Sequence, residues 1–291
     1  MFNIRPYCSA SSDFLKKVIK SKNKRKEDVT PPFYKDRIIK FNNDLTQPYS
    51  NYDVSFQSNT IYTLISDQKF QQKAIKNDLL DLYKYSSKPF VELRNELVKL
   101  PNNRSFDTCQ YCAINSINTL DHILPKEKFP EFVVHPKNLF PACSLCNGKK
   151  STKFLNRGIP EFLNLYIHKL PQVQYLFVEI ILDKNTFNLR FYLKNINSID
   201  PNIFAIIENH YINLDLLSRY EKQANSIISI FEDTILSNIG SQTLDELLQM
   251  CINSLPAYRK TLGYNHYKIV LEEELCTGSA FRDYLKLQGI T

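Results

Sequence analysis

Two cysteine pairs, Cys109-x-x-Cys112 and Cys143-x-x-Cys146, bracket an Asp121-His122 dipeptide and a lone Asn138, and Asn147 follows the last cysteine. Two Cys-x-x-Cys knuckles at this separation have the spacing of one four-thiolate Zn²⁺ site. The stretch from Thr108 to Ser151 is too short and too polar to hold a hydrophobic core by itself. Four thiolates on one zinc can supply on the order of 10 kcal/mol of folding free energy, enough to fix it. Zinc closed off by four sulfurs has no position left for water, so any catalysis falls to the residues between and just after the cysteines.

Those residues suit phosphodiester hydrolysis. A histidine with an ordinary pKa near ~6.5 can take a proton from an attacking water, which is the role open to His122. Asp121 offers a hard oxygen to Mg²⁺ or Mn²⁺, and the side-chain carbonyl of Asn147 offers another without adding charge. Asn138 can hold a loop and orient the histidine through backbone hydrogen bonds. Neighbours on a regular strand face opposite ways, so Asp121 and His122 can share a centre only at a twisted or bulged strand end. Pro125 is consistent with a strand that stops there. A helix is expected from about Asn147 through Lys153, with Lys149, Lys150 and Lys153 gripping phosphate near its N-terminus. Taken singly, Asn147 is more commonly an N-cap and Asn138 a turn residue. The set has weight that no member has.

As a set, Cys-x-x-Cys, Asp-His-x-x-Pro-Lys, Asn-Leu and Cys-x-x-Cys-Asn-x-x-Lys across Cys109–Lys150 resembles the HNH endonuclease family in its ββα-metal form with a four-cysteine zinc. The resemblance implies that His122 is the general base, that Asp121 and Asn147 bind the catalytic Mg²⁺ or Mn²⁺, that Asn138 positions the histidine loop, and that Cys109, Cys112, Cys143 and Cys146 hold structural Zn²⁺. Position 147 carries Asn rather than the His of the family name, and members use either. The wider run Leu120–Phe132, with Glu208–Tyr211 and Gly263–Lys268, looks like HNH proteins of bacterial anti-phage systems, in which the nuclease is often paired with an ATPase. The implied substrate is DNA, with RNA as the alternative; a non-catalytic zinc module that binds nucleic acid or a partner is the competing class. The implied partners are an ATPase or a second copy of this chain.

The elements that must position this centre are also legible. In 291 residues, 37 Lys and Arg against 30 Asp and Glu give a net charge of +7. Hydrophobic content of 43% allows a sizeable core. No apolar run reaches membrane-span length and the first residues lack a signal-peptide pattern, so a cytoplasmic protein is expected, with cysteines used for metal rather than disulfides. Cys8, Cys251 and Cys276 read as buried thiols. The run Lys16, Lys17, Lys20, Lys22, Lys24, Arg25 and Lys26 is equally well a phosphate-binding patch or a solvated face with a disordered tether.

Apolar stripes at Phe14, Leu15, Val18 and Ile19, and at Phe90, Leu93, Leu97 and Leu100, predict a helical region over 1–100, with a loop at 47–51. The HNH-like module follows at 101–157, with His135 on its surface or against phosphate. Residues 158–291 begin with two alternating strands, Tyr175–Leu182 and Thr186–Leu193, joined through 183–185. Helices follow, one opened by a capping box at Thr243 and Glu246. His168, His210 and His266 read as structural. The expected fold is α+β: one mostly helical body around the zinc-stapled ββα module, with a β-hairpin and C-terminal helices.

Overall fold

The apolar stripe of the first segment does form a helix, α1 (Ser11–Lys20), with Phe14, Leu15, Val18 and Ile19 all buried. The structure is a computed structural model that describes residues 1–25, 28–100, 104–184 and 186–289. Lys26 of the basic run and Asn185 of the hairpin turn lie outside the described residues. The chain divides into two compact units, residues 3–169 and residues 170–291 with 1–2, where a single body was expected. Each unit encloses its own apolar core.

In the first unit α1 is followed by α2 (Tyr34–Ile39), α3 (Phe41–Asp44), α4 (Thr46–Gln57), α5 (Gln68–Gln71), α6 (Lys73–Leu80) and α7 (Lys88–Leu97). The loop expected at 47–51 is instead the start of α4. Pro48 is its third residue, where the first-turn N–H groups have no intrahelical partner and proline costs little. The basic run is not a loose tether. Arg25 pairs with Asp78 and Asp81, Lys22 donates to the Asp81 carbonyl at 2.7 Å, and Lys24 lies over the Phe33 ring. The ammonium of Lys35 caps the carbonyls at the end of α1, reaching Ile19 at 2.6 Å and Lys22 at 2.8 Å. Cys8 is exposed, contrary to expectation, because it sits before α1 outside the stripe; Cys276 is buried and Cys251 half-buried.

The module adds β1 (Thr119–His122), β2 (Leu139–Ala142), α8 (Ser144–Lys150) and a short antiparallel pair, β3 (Leu155–Asn156) with β4 (Ile159–Pro160). One buried cluster runs from Phe14, Val18, Phe90 and Leu93 of the helices into Leu120, Val133, Val134 and Leu139 of the module. The N-terminal helices thus supply the core that the module is too short to form.

The second unit holds the hairpin β5 (Leu176–Asp183) and β6 (Thr186–Leu193), paired Leu176 with Leu193 through Asp183 with Thr186. Leu176, Val178 and Phe191 face inward, as the alternation predicts. Around it lie α9 (Pro201–Asn213), α10 (Leu216–Leu236), α11 (Leu244–Leu262), α12 (Tyr267–Thr277) and α13 (Ser279–Leu287). The Thr243–Glu246 capping box opens α11. Tyr220 and Tyr267 stack with ring centroids 4.5 Å apart, and the Asn265 amide oxygen accepts from the Tyr175 and Leu176 N–H groups, fixing the start of the hairpin. His168, His210 and His266 are all buried, consistent with structural roles. No helix of the described residues is long and apolar enough to cross a membrane.

Candidate active site

β1 and β2 pair antiparallel, with Asp121 opposite Phe140 and His122 opposite Leu139. β1 ends at His122, so the dipeptide occupies the strand end that a shared centre requires. The chain then loops through 3₁₀ turns at Pro130–Phe132 and Pro136–Asn138 before β2, and α8 follows at once. Cys143 is the N-cap of α8 and its Sγ accepts the Cys146 N–H at 3.4 Å. Asn147 is therefore the fourth residue of the helix, not its cap. The helix stops at Lys150 rather than Lys153, because Ser151 takes a left-handed φ of 50°.

The four cysteine sulfurs lie within 4.8 Å of one another and all four residues are buried. A tetrahedral zinc with bonds of about 2.3 Å needs sulfur–sulfur edges near ~3.8 Å. Cys112 and Cys143 stand 3.9 Å apart. Donor type, number and spacing fit a four-thiolate zinc.

Asp121, His122 and Asn147 line one cavity of about 200 Å³, together with Tyr83, Thr119 and Lys126. His122 Nε2 is 2.9 Å from the Val133 carbonyl oxygen. A carbonyl only accepts, so the ring proton of the neutral form resides on Nε2 and Nδ1 carries the lone pair. The Tyr83 ring packs edge-on to the imidazole at 5.0 Å, while its hydroxyl donates to the Leu120 carbonyl at 3.1 Å. Burial pushes the His122 pKa down to about 3, against the pull of the Val133 carbonyl.

Asp121 lines the same cavity and is itself 2% exposed. Its Oδ1 and Oδ2 each lie 3.4 Å from the Lys150 ammonium, which also donates to the His122 carbonyl at 2.6 Å. Burial raises the Asp121 pKa, opposed by Lys150. Oδ2 is buried with no hydrogen-bond partner among the described residues. Asn147 Nδ2 donates to Thr119 Oγ1 at 3.1 Å, which turns the amide so that its carbonyl oxygen is the atom left over. One carboxylate oxygen and one amide oxygen are a donor set suited to Mg²⁺ or Mn²⁺.

Asn138 is fully buried and does not line the cavity. Its Oδ1 accepts from the Leu124 N–H at 2.8 Å and the Tyr52 hydroxyl at 3.1 Å, and its Nδ2 donates to the Leu124 and Phe132 carbonyls at 3.1 and 3.0 Å. These bonds pin the chain two residues after His122 and one residue before its acceptor Val133.

Two further expectations fail here. His135 is not on the surface: it is fully buried, its ring 4.5 Å from Tyr49 and 4.1 Å from Tyr52. Lys150 is not placed to touch phosphate, being 2% exposed and bound to Asp121 and His122. Lys149 is half-buried and Lys153 exposed. A signal for Lys150 was present. It follows Cys146 by four residues on a helix and so shares the face that Cys146 turns toward the metal site. Tyr83 carries no comparable signal.

Residues 109–153 match the HNH endonuclease family model. The ββα module is an HNH domain. Among curated proteins, the chain is 37% identical over 70 residues to the Septu protein PtuB of Bacillus thuringiensis, covering 22% of this chain and 25% of that protein. It is also 37% identical over 67 residues to protein ea31 of Escherichia phage lambda, covering 22% and 23%. The chain thus spans about a quarter of the length of these curated relatives. No solved structure matches it.

Proposed function

We propose that this chain is a metal-dependent endonuclease that hydrolyses phosphodiester bonds of DNA, acting in the cytoplasm as an effector of anti-phage defence. The observation that carries the reading is the convergence of Asp121, His122 and Asn147 on one cavity of the HNH domain, beside a closed four-thiolate site. Zinc in that site is structural. His122, with its Nε2 proton on the Val133 carbonyl, takes a proton from water at Nδ1. Asp121 Oδ2 and Asn147 Oδ1 would hold Mg²⁺ or Mn²⁺, whose chemistry when bound is to neutralise charge on a phosphate oxygen and the leaving 3′-oxygen. Asn138 acts as a positioning residue, and Lys149 and Lys153 contact the nucleic-acid backbone.

By role, residues 1–100 form a supporting helical region, 101–157 the nuclease module, and 158–291 a hairpin and helical region that docks an ATPase partner or a second copy. The partial similarity to the Septu protein PtuB supports the defence role that the sequence resemblance implies.

One observation favours a second reading. Asp121 is buried and ion-paired with Lys150, as a purely structural aspartate would be. In that reading the HNH domain binds nucleic acid without cutting it. A cleavage assay on plasmid DNA and on RNA, with added Mg²⁺ or Mn²⁺, decides between them. The nuclease reading expects DNA cleavage that falls by roughly 10²–10⁴ in His122→Ala with folding unchanged. Cleavage of RNA alone would reassign the substrate, and binding without cleavage would establish the second reading.

A further inference from the structure

Among the described residues, Lys126 is the one cationic side chain that lines the cavity holding Asp121, His122 and Asn147. The nearby Lys150 is committed elsewhere, to the Asp121 carboxylate and the His122 carbonyl. Lys126 follows Pro125 in the turn after β1 and is half-buried. Its ammonium lies 5.6 Å from the Tyr83 ring centroid, and that same ring packs against the His122 imidazole at 5.0 Å. One aromatic ring, anchored through its hydroxyl to the Leu120 carbonyl, therefore seats both the histidine and this cation. No carboxylate among the described residues forms an ion pair with Lys126. Its neighbour Glu127 lines the same cavity as an exposed carboxylate.

A cation held against an aromatic face without an acidic partner has its charge available to a ligand. The chemistry that would use it is an anion entering the cavity. A phosphodiester presents two non-bridging oxygens, and the Asp121–Asn147 side can account for only one of them through a bound cation. We infer that Lys126 is a substrate-binding residue that contacts a non-bridging oxygen of the DNA phosphodiester received by this cavity. The inference rests on the nuclease reading above and adds to it the residue that holds the substrate on the side away from the metal ligands. Glu127 works against it by repelling the same phosphate.

The test is fluorescence anisotropy of a labelled 30-base-pair DNA duplex in Mg²⁺, with His122→Ala as the background so that binding is read without cleavage. Lys126→Met should weaken binding by about tenfold, the scale of one charge-assisted contact. It should also flatten the dependence of log affinity on log salt by about one contact, roughly 0.9 in slope. Lys126→Arg should recover most of the affinity. Glu127→Gln should tighten binding about two- to threefold, a change of opposite sign that loss of structure cannot produce. Unchanged affinity and salt slope in Lys126→Met would overturn the inference, as would Glu127→Gln weakening binding. The nuclease reading is tested separately, by cleavage with the wild-type protein against His122→Ala. A wild-type protein that cuts neither DNA nor RNA overturns that reading and this inference with it.

Discussion

Lys150 and Asp121 face each other at 3.4 Å inside the HNH domain, their side chains 2% and 3% exposed. The same ammonium donates to the His122 carbonyl at 2.6 Å, so one side chain from α8 fixes the end of β1 where both the aspartate and the histidine sit. Charges this enclosed have lost their hydration, and each is tolerable mainly because of the other.

Lys150→Met is therefore expected to destabilise the protein by about 3–5 kcal/mol at pH 7, the usual cost of leaving one member of a buried pair unpartnered. Urea unfolding measures it. Replacing both members, Lys150→Met with Asp121→Leu, should recover much of the loss, because no lone charge remains. A single variant as stable as wild type would show that the ammonium is readily spared.

The thiolate site gives a second expectation. Purified protein should carry about one zinc per chain by elemental analysis. Cys143→Ser should lose the metal and the near-ultraviolet signature of packed aromatics, because Cys143 is also the N-cap of α8 and sits beside the Asn115 amide at 3.8 Å. A zinc-free Cys143→Ser protein with native spectra would contradict the stapling role. Nuclease activity, in the proposed reading, depends on added Mg²⁺ or Mn²⁺ even when zinc is retained.

Asn138→Ala leaves the buried Leu124 N–H and carbonyl without the amide that pairs them, while the Phe132 carbonyl keeps the His135 N–H and the Tyr52 hydroxyl keeps the Lys137 carbonyl. Stranding buried polar groups costs about 1–3 kcal/mol each where they cannot repair. A loss of about 3 kcal/mol or more is expected by urea unfolding. Because Asn138 holds the loop rather than facing the cavity, the variant should lower kcat at low temperature with little change in KM. A change in KM alone would mean that it meets substrate.

The sequence exposed the site better than its surroundings. The cysteine spacing, the strand-end dipeptide and the hairpin alternation from Leu176 to Leu193 are local patterns, and all appear in the fold. Features decided by tertiary packing were harder to read. Lysines in a basic run read as surface until one is required to neutralise a buried aspartate, as Lys150 does. His135 lies between Val134 and Pro136, and only the arrival of α4 with Tyr49 and Tyr52 buries it. The position that ends α8 is neither glycine nor proline, since Ser151 itself takes the left-handed φ. The division into two units was also hidden, because no linker-like composition marks residue 170.

The buried histidines give an acid limit to stability. Burial pushes His122 and His135 down to about 3 and His168 down to about 4, all within the unit formed by residues 3–169. In the unfolded chain each titrates near ~6.5. Above that pH both states hold neutral rings, and the fold keeps the full contribution. Between ~6.5 and the depressed values the unfolded chain binds protons that the fold excludes, so stability falls as pH falls through this window. The urea midpoint should therefore decline steadily from pH 6.5 to 4.5. His135 offers the cleanest test because its ring is held between Tyr49 and Tyr52, with Asp53 Oδ1 at 3.6 Å opposing the shift without reversing it. His135→Phe keeps the aromatic packing and removes one titrating group, so its midpoint should decline less steeply over the same range. An identical slope in wild type and His135→Phe would mean that His135 takes up its proton without cost to the fold.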